Sequence, residues 1–313
     1  MATGSGKGKA ILFGEHFVVY GLPALAAGIA SETTAVITRV RSFGWKLVDN
    51  RPAMPGYKEK KYEEQKVSID NILKHLNIDP TETGFQIDLG GDLVCASGIG
   101  ASAASCVAIA RALSDEYSLG LDDDQINEAA YMGEMGYHGT PSGLDNTAST
   151  FGGLIWFVRD LNGGPPKFEK LKLGKAANLV IASTGLTAST KVVVGDVRKK
   201  KDADPDWFDS ISSEYTQLVN DARAALIELN FDKVGTLMNN NHELLQQLTV
   251  SCKELDNLVA IARESGAIGA KMTGTGRGGN MIALAPDETT MDKIAEALKE
   301  SGAAGVWTTS FGL

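Results

Sequence analysis

Phosphoryl transfer asks four things of a protein: N–H groups around phosphate oxygens, a cation against their charge, hard oxygen ligands for Mg²⁺, and a carboxylate that takes a proton from an acceptor hydroxyl. This sequence offers one group for each. The run 94–118 passes from Gly, Ser and Ala into a helix-patterned segment, so the N–H groups of Gly98, Ile99, Gly100 and Ala101 are unshielded beside a helix N-terminus. Ser102 and Glu134 are hard oxygen ligands, Asp145 is an acid in a Gly/Pro loop spanning 136–146, and Lys9 is a cation at the start of a strand. Each alone has a plainer reading. A Gly-rich run also suits a turn where two elements pack closely, and a lysine opening a strand is ordinarily solvated.

Two glycine patterns are decoys. Gly98 to Ala103 fits the loose dinucleotide form GxGxxA, but Asp115 and Glu116 follow inside a helix instead of ending a second strand. Gly274 to Gly279 fits GxGxxG yet runs from strand to strand, which excludes it. The N-terminal Gly-Lys pairs also fail the P-loop pattern, since a match ending at Gly8-Lys9 needs glycine at Thr3 and a hydroxyl at Ala10.

The elements that must position these groups read as α+β. Residues 1–8 look like a loose lead-in, and 9–20 like strand, turn and strand around Gly14-Glu15-His16. A strand at 33–40, a solvated charged helix face at 58–66 leading into a helix at 67–76, and a strand at 85–93 bring the chain to the Gly/Ser/Ala loop. Helical spacing at 126–135 begins behind Asp122-Asp123-Asp124, and 151–159 reads as a buried strand. The Asn-Gly-Gly-Pro-Pro run at 162–166 is the strongest punctuation, which places a division between domains of 1–172 and 173–313. The second half reads as a strand at 178–183, a hydroxyl-rich loop at 184–191, and helices at 205–229, 232–247 and 252–265. A strand, Gly-rich turn and strand over 267–285, a helix at 289–301 and a strand at 305–309 follow.

Composition narrows the partners. The 313 residues carry a formal charge of −9 and are 43% hydrophobic and 22% charged, which suits a globular chain and argues against a general nucleic-acid or anionic-membrane binder. Cys95, Cys106 and Cys252 form no metal-ligand or disulfide pattern, so a reducing, cytoplasmic setting is expected.

Taken together, the motifs resemble the GHMP kinase superfamily, and within it the mevalonate-phosphorylating branch. Lys9-Ala10-Ile11-Leu12-Phe13-Gly14-Glu15-His16-Phe17-Val18-Val19-Tyr20-Gly21 resembles the family's first motif, and Ser97-Gly98-Ile99-Gly100-Ala101-Ser102-Ala103-Ala104 its phosphate loop. Lys271-Met272-Thr273-Gly274-Thr275-Gly276-Arg277-Gly278-Gly279 resembles the third motif. The stretch from Glu134 through His138-Gly139-Thr140-Pro141-Ser142-Gly143-Leu144-Asp145 resembles the segment holding the magnesium glutamate and catalytic aspartate.

The resemblance implies a ribosomal-protein-S5-domain-2-like N-terminal domain joined to a ferredoxin-like C-terminal domain. It implies ATP- and Mg²⁺-dependent phosphorylation of (R)-mevalonate to 5-phosphomevalonate in isoprenoid biosynthesis. Asp145 and Lys9 would be catalytic, Ser102 and Glu134 would hold Mg²⁺, and Ser97 to Ala103 with Gly274 and Gly276 would bind ATP. Glu15, His16 and Thr190 would face the acceptor. Arg159 and Arg277 are two guanidiniums available to its carboxylate. Feedback inhibition by isoprenoid diphosphates and a homodimer are further family expectations. Two departures stand out: Ala101 replaces a serine of the phosphate loop, and Arg277 replaces a glycine of the third motif. The alternatives are another small-molecule kinase of the superfamily, such as a phosphomevalonate or sugar kinase, and a non-catalytic ligand sensor on the same fold.

Overall fold

The small residues at the start of the chain form a strand, not a lead-in. In the computed structural model, which describes residues 1–96 and 98–312, β1 runs Ala2–Phe13 and lies on α2, Ala101–Glu116. A Cβ on Gly6 would stand 2.2 Å from the Ala104 carbonyl oxygen and one on Gly4 2.4 Å from that of Ala108, so only glycine permits the approach. Smallness here is a packing requirement that composition alone disguises as looseness.

The chain forms two compact units: Met1–Lys9 with Gly28–Gly152, and Ala10–Ala27 with the residues from Gly153 onward. In the first unit, β2 (Ala24–Arg39) pairs antiparallel through 33–39 with β4 (Phe85–Gly91), and β3 (Trp45–Asp49) pairs parallel with β4. Helix α1 (Tyr57–His75) begins well before its apolar half, because the charged run is the solvated face of the same helix. Ile69, Ile72, Phe85, Ile87, Val107, Leu113 and Ile126 share one core. Helix α2 is apolar on nearly every side and is buried accordingly. Helix α3 (Asp123–His138) opens with the expected acidic cap, where the Asp122 side chain accepts from Gln125 N and the Gln125 side-chain oxygen accepts from Asp122 N. Helix α4 follows at Leu144–Phe151.

In the second unit, Ala24–Ala27 pairs with β5 (Leu154–Val158), which pairs in turn with β6 (Lys167–Leu171). The 162–166 punctuation is therefore the connection of an antiparallel pair, and the units part ahead of it, at Gly152 and Gly153. Strand β7 (Ala177–Ser183) leads to α5 (Thr190–Ala203), α6 (Pro205–Ile227), α7 (Phe231–Gln247) and α8 (Lys253–Glu264). After these come β8 (Gly269–Thr273), β9 (Asn280–Ala285), α9 (Glu288–Glu300) and β10 (Gly305–Phe311). The antiparallel sheet runs β10-β7-β9-β8, and its apolar side chains, such as Leu179, Ile181, Ile282 and Leu284, are buried.

The expected strand after Gly14-Glu15-His16 is absent. Val18–Tyr20 is a 3-10 turn, closed by Gly21 N donating to the Val18 carbonyl at 3.1 Å. His16 at φ 63° breaks the extended path, and Phe17 is fully buried with its ring stacked on Tyr215 at 3.9 Å. Tertiary packing overrides the β propensity of two valines here.

Candidate functional site

Lys9 joins the phosphate loop to the strand that carries it. Its backbone N donates to the Ile99 carbonyl at 3.0 Å and its Nζ to the Gly98 carbonyl at 3.3 Å. Gly98 and Gly100 have φ of 89° and 76°, and Gly100 is the N-cap of α2 without any side-chain cap. The first-turn N–H groups of Ala101, Ser102 and Ala103 are therefore left for an anion, at the positive end of a buried helix. Ser97, which the sequence assigns to this loop, lies outside the described residues.

Lys9 and Asp145, far apart in the sequence, are brought together. Lys9 Nζ stands 3.2 Å from Asp145 Oδ1, with the lysine 2% and the aspartate 30% exposed. Asp145 sits in the first turn of α4, where the Ser142 hydroxyl accepts from Leu144 N at 3.2 Å. The Thr147 hydroxyl donates back to the Gly143 carbonyl at 2.6 Å. The loop expected over 136–146 is shorter than that, because α3 continues to His138 and α4 starts at Leu144.

Glu134 lies on the buried face of α3, 1% exposed, and accepts a hydrogen bond from Ser102. Burial pushes its carboxyl up to about 8 and the charge of Asp145 adds to the rise, while Ser102, Lys9 and Lys61 oppose it. A buried carboxyl this costly to ionise, touching a hydroxyl at an anion-binding helix end, fits a divalent cation. No group of three His, Cys, Asp or Glu residues that could hold a metal occurs among the described residues. Ser102 and Glu134 are the two hard oxygen donors brought together here.

Sequence reasoning missed the cations beside this loop. Arg51, 6% exposed, donates from Nη1 to the Ala101 carbonyl at 3.1 Å and is held by Asp49 at 2.9 and 2.6 Å. Lys58 donates to the Asp49 carbonyl at 2.8 Å. With Lys61, Tyr57 and Ser102 they line a cavity next to the start of α2. Arg51 lies between the strand at 33–40 and the charged helix face at 58–66, which reads as solvated and holds Lys58 and Lys61, and no spacing ties either stretch to the glycines of the loop.

In the second unit, a buried ion pair joins Glu15 to Lys271, both side chains wholly inaccessible. The first and third motifs thus meet through Lys271, the first residue of the third. His16 Nε2 lies 2.8 Å from the Thr275 carbonyl. Burial lowers its imidazole to about 4, with the Arg277 charge acting in the same direction and the Thr275 carbonyl opposing. Thr190 Oγ1 and Thr275 Oγ1 are 2.8 Å apart. Gly274 and Gly276 form the left-handed turn between β8 and β9, at φ of 83° and 79°. Arg277 does not present a free fork: its Nη1 donates to Asp196 at 2.7 Å and its Nε to the Thr249 carbonyl at 3.1 Å. Arg159, half-buried after β5, has no hydrogen bond or ion pair to another described residue.

Comparison with known proteins identifies the family. The GHMP kinases N terminal domain matches residues 65–153 and the GHMP kinases C terminal family matches 222–304. The mevalonate kinase of Thermococcus sibiricus is 33% identical, covering 97% of this chain and 94% of its own length. That of Pyrococcus furiosus is 32% identical over 95% and 92%. Among solved structures, L. major mevalonate kinase in complex with R-mevalonate superposes with a TM-score of 0.94 at 43% identity, covering 99% of this chain and 96% of that one. The Methanococcus jannaschii mevalonate kinase gives a TM-score of 0.82 at 27% identity, over 99% and 98%. With both domain models matched and relatives of this identity aligned along nearly its whole length, the chain belongs to the mevalonate kinase family of the GHMP kinases.

Proposed function

We propose that this chain transfers the γ-phosphoryl group of ATP to the primary hydroxyl of (R)-mevalonate, releasing ADP and 5-phosphomevalonate. Family membership carries the reaction class, and the observation that supports the division of labour is the Lys9–Asp145 contact at 3.2 Å. The acceptor alcohol is a weak nucleophile. Asp145 takes its proton as the new oxygen–phosphorus bond forms and the bond to the ADP oxygen breaks, and Lys9 offers positive charge beside the carboxylate and the transferring group. The N–H groups of Ala101, Ser102 and Ala103 orient the phosphates, and Arg51 lies beside them as a further cation. Ser102 and Glu134 would hold Mg²⁺, which supplies charge neutralisation across the phosphates when bound.

Acceptor recognition falls to the second unit. His16 and Thr190 converge on Thr275, His16 on its carbonyl and Thr190 on its hydroxyl, and Arg159 is the guanidinium left available for a carboxylate. Three unpaired cysteines suit a reducing, cytoplasmic setting. No described helix is long and apolar enough to cross a membrane.

Coupled ADP detection with ATP, Mg²⁺ and a panel of mevalonate, phosphomevalonate, galactose and homoserine tests the substrate. Turnover with mevalonate is expected. Turnover with any other acceptor alone would move the chain to a different GHMP activity.

A further inference from the structure

Helix α5 is poorly built to hold its own place. Val192, Val193 and Val194 are β-branched and Gly195 follows with open space around it, so intrinsic propensity is low. Its N-cap Ser189 makes no capping bond, and Val193 and Val197 are its only fully buried residues. Yet its first residue is Thr190, whose hydroxyl meets Thr275.

The turn opposite is rigid. Gly279 N donates to the Leu186 carbonyl at 2.7 Å, and Arg277 N to the Val250 carbonyl at 2.7 Å. A Cβ on Gly276 would stand 2.0 Å from that same Val250 oxygen. Arg277 keeps a left-handed φ of 50°, a conformation that disfavours a residue with a Cβ. Its side chain spans from the Thr249 carbonyl to Asp196, about 1.7 turns into α5 from Thr190.

We propose that Arg277 is a positioning residue: by binding Asp196 it pins α5 to the 274–279 turn and so sets Thr190 against Thr275 for the acceptor. This rests on the acceptor-site reading above. The far end of α5 is held by Lys200 Nζ, which donates to the Gln247 carbonyl at 2.6 Å. Toward the 274–279 turn its ties are the Thr190–Thr275 hydroxyls and the Arg277–Asp196 pair, and two points fix that end where one leaves it free to pivot. Arg277 acts through Thr190 and touches no reacting atom.

The variants are R277G, whose backbone accepts φ 50° without cost, D196N, the double variant, and K199A, which removes the other partner of Asp196. In steady-state kinetics R277G and D196N each raise KM for mevalonate about fivefold, the upper range for a half-exposed pair. The double variant matches either single one, and kcat and KM for ATP change by less than about twofold. K199A matches the parent chain. Amide hydrogen exchange over 190–194 reads the pinning with no substrate present, and R277G should speed it. Unchanged exchange overturns the pinning, whatever the chain phosphorylates. Faster exchange with an unchanged KM, or additive effects in the double variant, overturns the positioning role. Absence of mevalonate turnover in the parent chain is instead a failure of the proposed function, and the exchange result then decides the pinning alone.

Discussion

Lys9 and Asp145 stand 3.2 Å apart although 135 residues separate them, and the lysine that makes the contact is all but inaccessible while the aspartate is 30% open. A buried cation beside an accessible carboxylate is an arrangement for presenting that carboxylate to something that enters. Lys9 is fixed twice more, through its backbone N to Ile99 and its Nζ to Gly98, so the strand, phosphate loop and acid form one rigid corner.

Gly100 is where that corner is tightest. Its φ is 76°, and a Cβ there would lie 2.6 Å from Lys9 Cγ. Gly100→Ala should therefore displace the Lys9 side chain and strain the N-cap at once, costing roughly 1–3 kcal/mol. Urea unfolding would read the loss of stability, and turnover should fall well beyond what that loss explains. Full activity with full stability would show that the loop has slack.

The Glu15–Lys271 pair makes a prediction about stability. Both side chains are wholly buried, and Glu15 Oε2 has no hydrogen-bond partner. Removing one charge strands the other, so K271M should destabilise the chain by about 3–5 kcal/mol, whereas the double change E15L/K271M should recover much of that loss. Denaturant midpoints of the three variants decide it; equal losses in the single and double variants would argue against a stranded charge.

Acid should weaken the fold through His16. Burial lowers its folded-state value to about 4, below the ordinary 6.5 of an unfolded chain. Between those values the unfolded state holds more protons, so stability is full above about 6.5 and declines as pH falls towards 4. The shift corresponds to about 3 kcal/mol when complete. Comparing midpoints across that window with H16N, whose asparagine tolerates φ 63°, should give a shallower decline in the variant. An identical slope would clear His16 of the effect.

Part of the first unit was legible because its signals are local. A Gly/Ser/Ala run entering an apolar helix suggests an anion site, and of the residues proposed to serve it the fold brings Lys9 to Asp145 and Ser102 to Glu134. The acidic start of α3 and the strands at β7, β9 and β10 follow from caps and alternation. What escaped depends on long-range contact. Helix α5 goes unassigned beyond the hydroxyl-rich loop at 184–191 because three valines and a glycine lack helix preference, and Asp196 and Thr190 tie it to the 274–279 turn. The β1 residues 2–8 read as slack because their glycines answer to α2, about 100 residues away. Arg51 and Lys271 carry no signal of partnership until folding supplies Asp49, Ala101 and Glu15.

The most direct test of the account is Asp145→Asn in single-turnover transfer from ATP to mevalonate. Asparagine keeps the shape and cannot take the proton, so phosphomevalonate formation should slow by about 10²–10⁴-fold while ATP still binds. Transfer at the parent rate would contradict the assignment of Asp145 as the group that accepts the proton.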